Sequence, residues 1–324
     1  MPVGWTCPFL YWCHIKRIRA RLIKQSITTI TYKIRMLWSK GPLQNTYSRK
    51  GTEYLATEEE LIDQIKSATT VLWIRNGSLG PLRTTDLDIV VKHLNILPNP
   101  VMLITSDGDR LVPHSYKPQT VQTILNHPNI SKWLTQNYDK TITHEKLGYM
   151  PIGFDFHTPR WLINNSPSEK TEFMLQCRRT APPKIKDKIF LDAHLTGSSL
   201  ERENLKATVR NNPSVICLKS QVPFTDITKI YNMYQFVLSP HGRGFDCHRT
   251  WELFLAGCIV IVKSSPLDDM FIKNKLPVVI VKNWAELNMN LDQKLKQWYD
   301  DLIELTALDN ILPKLQFDYW LISR

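Results

Sequence analysis

The sequence predicts an α/β protein made of two Rossmann-like, doubly wound domains that face each other across a cleft. Short apolar runs with the length of buried strands alternate with amphipathic helical segments along most of the chain. A segment rich in proline and glycine, 153–186, interrupts this alternation near its middle. The total length of 324 residues suits two domains of ordinary size.

The first domain is predicted to span 51–155. Its first helix begins with a capping-box-like pair, Thr57 and Glu60, and two more helices are expected at Thr85–Leu97 and Gln119–Asn126. Apolar runs predict four strands, at Val71–Ile74, Val101–Thr105, Lys132–Thr135 and Lys146–Ile152. Strands that alternate with helices favour parallel pairing.

The second domain is predicted to span 156–300 and repeats the pattern. Its expected strands are Ile189–Ala193, Val215–Lys219, Phe236–Ser239, Cys258–Lys263 and Val278–Val281. Its expected helices are Glu201–Asn211, Thr225–Tyr234, Asp246–Ala256, Asp268–Ile272, Ala285–Asn288 and Leu291–Leu305. A C-terminal helical segment, 301–324, is expected to pack back on the first domain.

The net charge of +11 is concentrated in residues 1–50, which hold ten basic and no acidic residues. The rest of the chain is nearly neutral. A nucleic-acid groove requires a basic face on the folded domain itself, so the charge distribution excludes nucleic acid as the partner of the main body.

The N-terminal arm, residues 1–50, has apolar residues at steps of three and four over 15–38, which predicts a basic amphipathic helix. Three roles remain open for it: peripheral contact with an anionic membrane, docking on the first domain, or targeting. No apolar run reaches the ~18 residues of a membrane-spanning helix. The six scattered cysteines lack zinc-ligand spacing and indicate a reducing, cytoplasmic compartment.

The segment 236–262 carries the strongest chemical signal, a strand, a glycine loop, a helix and a second strand. Gly242 and Gly244 would let backbone approach a ligand, while Asp246 is a candidate N-cap and Gly257 a candidate helix stop. Phosphate groups favour a helix N-terminus with nearby arginines.

Arg243 and Arg249 are therefore candidate phosphate ligands, and Glu252, one turn later, can accept hydrogen bonds from ribose hydroxyls. The alternative for the same residues is a helix-end turn with a solvated arginine–glutamate pair. His194 and Arg202 are expected beside the same cleft, where they could touch a diphosphate or sugar.

This segment resembles the donor-binding half of exostosin-type glycosyltransferases, especially the compact versions found in large DNA viruses. The resemblance rests on Ser239, Pro240, Gly242, Gly244, Asp246, His248, Arg249, Trp251, Glu252, Gly257 and Cys258. Val260 departs from the pattern, since the family usually has proline there. Val101–Pro113, Leu125–Gln136 and Met150–Thr158 are similar to the acceptor-side half of the same group, so the resemblance covers roughly residues 65–285.

The resemblance implies the GT-B architecture, with a nucleotide-sugar on the second domain and an acceptor glycan or glycoconjugate on the first. It also implies transfer with inversion and without an obligatory metal or other cofactor. A UDP-sugar is expected rather than a GDP-sugar. The competing hypothesis is a non-catalytic nucleotide- or carbohydrate-binding protein on the same scaffold.

An inverting transfer requires a general base beside the acceptor hydroxyl. Asp107 and Asp109 follow a strand of the first domain and are the leading candidates, with Asp155 and His157 as alternatives. The Asp-x-Asp pair could also hold a metal–diphosphate group, but it lies in the domain not expected to bind the nucleotide. The competing structural role is a solvated turn. Motifs of metalloproteases, α/β-hydrolases and P-loop enzymes are absent from the sequence.

Overall fold

The computed structural model describes residues 35–40, 56–77, 84–158, 166–192 and 200–322. These residues form a mixed α/β structure with two parallel sheets, one of four strands and one of five. None of the helices in these ranges is both long and apolar enough to cross a bilayer. His194 and most of the N-terminal arm lie outside the described residues.

The first sheet has the strand order β1-β2-β3-β4. Its strands are β1 (Val71–Gly77), β2 (Val101–Gly108), β3 (Ile130–Thr135) and β4 (Leu147–Tyr149). The accompanying helices are α1 (Glu58–Ser67), α2 (Asp86–Val90), a 3-10 turn (Leu94–Ile96) and α3 (Pro118–Asn126). Each strand pairs with the next one in sequence, so the strand order in the described part of this sheet does not reverse.

The second sheet has the order β6-β5-β7-β8-β9. Its strands are β5 (Ile185–Leu191), β6 (Val215–Cys217), β7 (Tyr234–Leu238), β8 (Ile259–Lys263) and β9 (Val278–Val281). Its helices are α4 (Pro167–Thr180), α5 (Leu200–Val209), α6 (Phe224–Tyr231), α7 (His248–Leu255), α8 (Asp268–Lys273), a 3-10 turn (Trp284–Asn288) and α9 (Leu291–Leu302). The strand order reverses between β5 and β7, and such a switch point opens a crevice at the carboxyl ends of the strands.

The central strands of the second sheet, β7 and β8, are buried on both faces. In β7, Phe236 and Leu238 belong to one apolar cluster, whereas Val237 belongs to the other. Successive strand residues point to opposite faces, so a strand covered on both sides is apolar throughout. This explains why the short continuous apolar runs predicted these strands.

The chain ends in short helical turns: Ile303–Thr306, α10 (Leu308–Ile311), Leu312–Leu315 and α11 (Phe317–Leu321). The Trp320 ring lies edge-on to Trp251 of α7, with 5.7 Å between centroids. Sequence reasoning expected this segment to pack on the first domain. The Trp320 contact joins it to α7 of the second sheet, and its buried residues share one apolar cluster with residues of both sheets. The contact is hydrophobic, because it helps to keep the aromatic side chains of α7 out of water.

Residues 35–38 pack as extended chain between the C-terminal turns and the segment that joins the two sheets, and residues 39–40 form a turn. The Leu37 amide donates to Leu315 O at 2.8 Å, and Leu37 O accepts from Phe154 N at 2.9 Å. A Cβ on Gly153 would come within 2.2 Å of Leu37 O, so only glycine allows this approach. The predicted helix over 15–38 is therefore wrong at 35–38, and the rest of it lies outside the described residues.

Two other helices differ from the sequence prediction. The helix expected over 85–97 ends at Val90 and gives way to the 3-10 turn, consistent with the low helix propensity of its β-branched run at 89–91. The segment 153–186, which we call the interdomain segment, contains a 14-residue helix, α4, that sequence reasoning did not predict. Pro167 marks its first turn, where proline is favoured, and Ser166 and Glu169 form a capping box.

Candidate functional site

The switch point of the second sheet places two polar residues at adjacent strand ends. Asp192 directly follows β5 and Ser239 directly follows β7, and both are 2% exposed. Ser239 shares a 2.9 Å hydroxyl hydrogen bond with Thr250 of α7, which fixes the strand end to the helix. Ser239 was predicted to bind the donor, and the structure places its side chain in this internal contact.

Arg249 lies on the first turn of α7 and reaches this strand end. Its Nη2 is 3.2 Å from Asp192 Oδ2, and its side chain is only 11% exposed. The Tyr231 hydroxyl donates to the same Asp192 oxygen at 2.7 Å. Burial opposes the charged guanidinium, but the electrostatic interactions with Tyr231 and Asp192 outweigh it, so the pKa of Arg249 is raised. Arg249 is thus a fixed, permanent cation at the switch point.

Glu252 follows Arg249 by one helical turn and is 6% exposed. Burial raises the pKa of the nearby Tyr231 hydroxyl, Arg249 lowers it, and Asp192 and Glu252 raise it again. These four residues therefore form one electrostatic cluster, the switch-point cluster, made of Asp192, Tyr231, Arg249 and Glu252. Sequence reasoning singled out Arg249 and Glu252 but missed Asp192 and Tyr231.

The glycine loop after β7 carries further positive charge. Arg202 of α5 donates through Nε to His241 O at 2.9 Å, and a Cβ on Gly242 would lie 3.2 Å from Arg202 Nη2. Gly242 thus gives Arg202 room against the loop backbone. Burial lowers the pKa of Arg202, partly offset by Cys247. Arg243 at the tip of the loop is exposed.

Gly244 has a different role from the one predicted. A Cβ there would lie 2.5 Å from Asn137 Nδ2, so this glycine allows close contact between the loop and the first sheet's half of the molecule. Asn137 Oδ1 accepts from Asp246 N at 3.0 Å, and its Nδ2 donates to Gly108 O at 3.3 Å. The last residue of β2 and the glycine loop are thus joined through one amide side chain.

Sequence reasoning expected Asp246 to be the N-cap of α7, but the structure places another residue there. Helix α7 begins at His248, and Cys247 occupies the cap position. Asp246 instead accepts from Ile152 N at 2.7 Å and from the Trp251 indole at 2.8 Å. Burial raises the pKa of Asp246 to about 6, although both hydrogen bonds favour the ionised form.

The predicted stop at Gly257 is confirmed. Gly257 has φ +75°, its amide donates to Phe254 O at 3.0 Å, and the Cys258 amide donates to Leu253 O at 3.0 Å. This pair of bonds is the Schellman arrangement. Arg178 of α4 donates to Leu255 O at 2.9 Å and supports the same helix end.

Asp107 and Asp109 occupy unlike environments. Asp107 is 2% exposed, and its carboxylate lies 2.8 Å from Lys40 Nζ and 3.2 Å from Arg75 Nε. Its backbone adopts φ 61°, and its amide donates to Gln136 Oε1 at 3.0 Å. Asp109, two residues further, is half-buried in the loop after β2. A buried carboxylate held between two cations is poorly placed to accept a substrate proton, so Asp109 is the better candidate base.

No protein-family model and no curated protein matches the chain. Among solved structures, one that is similar is the N-terminal domain of trehalose-6-phosphate phosphatase from Candida albicans. The two chains are 11% identical, the match covers 82% of this chain and 71% of that chain, and the TM-score is 0.36.

Proposed function

We propose that the protein is a GT-B glycosyltransferase that moves a sugar from a nucleotide diphosphate donor, a UDP-sugar rather than a GDP-sugar, to a hydroxyl of a glycan or glycoconjugate, with inversion. One observation carries the proposal: Arg249 is fixed at the carboxyl edge of the second sheet, at its switch point. Ligands of doubly wound sheets bind at this edge.

The donor diphosphate is assigned to the positive side of the glycine loop. Arg249 at the helix start, Arg202 beneath the loop and Arg243 at its tip supply three cations around Gly242. Negative charge builds on the diphosphate as the sugar departs, so cations fixed in advance lower the barrier most. Glu252 is assigned to the ribose hydroxyls.

The acceptor is assigned to the first sheet, at the carboxyl end of β2. Asn137 joins Gly108 to the glycine loop, so the loop carrying Asp109 begins close to the donor edge. Asp109 would take the proton of the acceptor hydroxyl while the sugar carbon is attacked from the face opposite the leaving diphosphate. Asp107 would hold the loop in place through Lys40 and Arg75.

The second candidate function is a binding protein without catalysis. It is favoured by the pairing of Arg249 with Asp192 and of Asp107 with two cations, since both contacts also suit a purely structural role. The two functions differ in turnover: a transferase releases UDP from a UDP-sugar when given acceptor, or slowly with water, and a binding protein does not.

Calorimetric titration of the full chain with a panel of UDP- and GDP-sugars tests the proposal. We expect saturable binding of a UDP-sugar, weaker binding of the GDP-linked form, and release of UDP by the same sample. Binding that stabilises the native state should also raise Tm with ligand concentration. A chain that binds none of these donors would contradict the transferase, and donor binding without UDP release on a glycan panel would favour the second candidate function.

A further inference from the structure

Two histidines and one aspartate converge where the interdomain segment meets the start of α7. Asp155 and His157 belong to the segment after β4, and His248 is the first residue of α7. One ligand atom from each of the three lies within 4.8 Å of the other two. This triad is separate from the switch-point cluster, although His248 directly precedes Arg249.

A backbone carbonyl fixes the tautomer of His248. Its Nδ1 lies 2.7 Å from Gly153 O, and a carbonyl oxygen can only accept, so Nδ1 carries the proton. In the neutral ring the lone pair is then on Nε2. A backbone carbonyl that fixes the tautomer and orientation in this way is the usual support of a metal-binding histidine.

His157 and Asp155 present two electron-rich atoms side by side. His157 Nδ1 accepts from the Trp38 indole at 3.3 Å, and the same nitrogen lies 3.4 Å from Asp155 Oδ1. In the metal-free chain both atoms accept a hydrogen bond, since Asp155 Oδ1 also accepts from Thr158 N at 2.9 Å. A metal ion on His157 Nδ1 would take the place of the Trp38 indole. Two ligands at about 2 Å from a tetrahedral zinc ion are about 3.3 Å apart, close to the spacing found here.

The exposure of the three residues would let a metal ion enter from solvent and would let a side chain move to bind it. Asp155 is almost completely buried, His248 is half-buried, and the side chain of His157 is 30% exposed. The three ligand atoms lie within 4.8 Å of one another, so a modest side-chain adjustment would bring them to coordination distance. Three protein ligands at a surface leave a fourth position for water.

We propose that Asp155, His157 and His248 form a binding site for one divalent transition-metal ion of the zinc class. Two imidazoles and a carboxylate favour zinc and its first-row neighbours over calcium or magnesium, which prefer oxygen ligands throughout. Because the ligands come from the interdomain segment and from α7, the bound ion clamps the one to the other. The ion would hold α7 through His248, which is adjacent to Arg249.

The test is titration of the metal-free full chain with Zn²⁺ by calorimetry and with Co²⁺ by visible absorption. We expect one equivalent of each metal at micromolar concentration, cobalt bands from nitrogen–oxygen coordination, and a higher Tm with zinc. His157→Ala should lower zinc affinity about 100-fold or more, since even supporting residues of metal sites contribute 10- to 100-fold. His114→Ala, which removes an exposed imidazole outside the triad, should leave affinity unchanged.

Trp38→Phe separates coordination from a purely structural hydrogen bond. Removing the indole N–H frees His157 Nδ1, so zinc affinity should stay equal or rise, whereas a structural Trp38–His157 bond predicts only a loss of stability. His157→Gln replaces His157→Ala if circular dichroism shows that the alanine variant is unfolded. Absence of saturable zinc binding, or equal affinity in the wild type and the folded His157 variant, would overturn the proposal.

Discussion

Arg249 and Asp192 meet at 3.2 Å across the switch point of the second sheet, although 57 residues separate them in sequence. The pair ties the first turn of α7 to the end of β5, and its burial protects the interaction from salt. It therefore holds the guanidinium in one place before any ligand arrives. A donor diphosphate would compete with Asp192 for this cation or add to it.

Replacing Arg249 should weaken donor binding. Loss of a charge-assisted hydrogen bond costs about 1.5–3 kcal/mol, so Arg249→Ala should weaken UDP-sugar affinity by roughly 10- to 150-fold in calorimetric titration. Arg210→Ala is the matched control, because Arg210 is an exposed arginine that precedes β6. It therefore lies toward the amino ends of the strands, away from the carboxyl ends where Arg249 lies. The double variant Asp192→Asn/Arg249→Ala avoids a buried unpaired carboxylate and should bind as weakly. Wild-type affinity in that folded double variant would refute the assignment.

Asp109→Asn should separate binding from transfer. The amide keeps the shape of the carboxylate but cannot accept a proton, so the transfer rate should fall about 10²- to 10⁴-fold while donor affinity stays within error. Steady-state UDP release and calorimetry on the same preparation measure the two properties. If transfer is unaffected, the base must be sought elsewhere.

Asp107→Asn should act mainly on stability. The change leaves Lys40 and Arg75 buried beside a neutral group, and breaking a buried ion pair by removing one partner costs about 3–5 kcal/mol. Urea denaturation should show this as a lower midpoint at an unchanged slope. Asp109→Asn serves as the control, because its half-buried side chain should cost far less. Equal midpoints for the two variants would contradict a structural role for Asp107.

Asp246 should make stability depend on pH. Its pKa is about 6 in the folded chain, raised by burial from an ordinary value of 3.8. The folded state therefore holds an extra proton between these values, and this carboxyl's contribution to the free energy of unfolding should decline as pH rises through that window. Asp246→Asn should flatten this part of a stability profile measured by urea denaturation from pH 3.5 to 7. A variant profile parallel to the wild type would exclude Asp246 as the group responsible.

Residues 35–40 should matter for the core despite belonging to the segment set apart as an arm. Leu37 is fully buried, so Leu37→Ala should lower the free energy of unfolding by about 2–5 kcal/mol. A deletion of residues 1–50 removes both Leu37 and Lys40 and should destabilise the chain at least as much. Leu200→Ala is the control, since Leu200 is 78% exposed. A truncated chain as stable as the full one would mean that these contacts contribute nothing.

Local chemistry in the sequence predicted much of the fold. The capping box at Thr57 and the left-handed stop at Gly257 follow from a few adjacent residues, and both are confirmed. The buried strands of the second sheet follow from continuous apolar runs, which a sheet covered on both faces requires.

The candidate site was harder to predict, because its key contacts join distant parts of the chain. Asp246 has the composition of an N-cap, but the Ile152 amide and the Trp251 indole take its carboxylate. Asn137 meets the glycine loop 109 positions away, and no local pattern marks it. Asp192 offered the one usable signal, since a polar residue directly after a buried strand lies at the ligand-binding edge.

The segment 35–40 also sets the order in which the chain can be completed. Leu37 takes its backbone partner from Leu315, and Arg35 pairs with Asp318, 283 positions away. During synthesis this segment emerges long before its partners at 315–318 and waits until they have emerged as well. Closing so long a loop is slow, and Leu37 stays uncovered meanwhile. We therefore expect the sheets to form first and this segment to dock late, so that the chain is exposed to aggregation until the segment has docked.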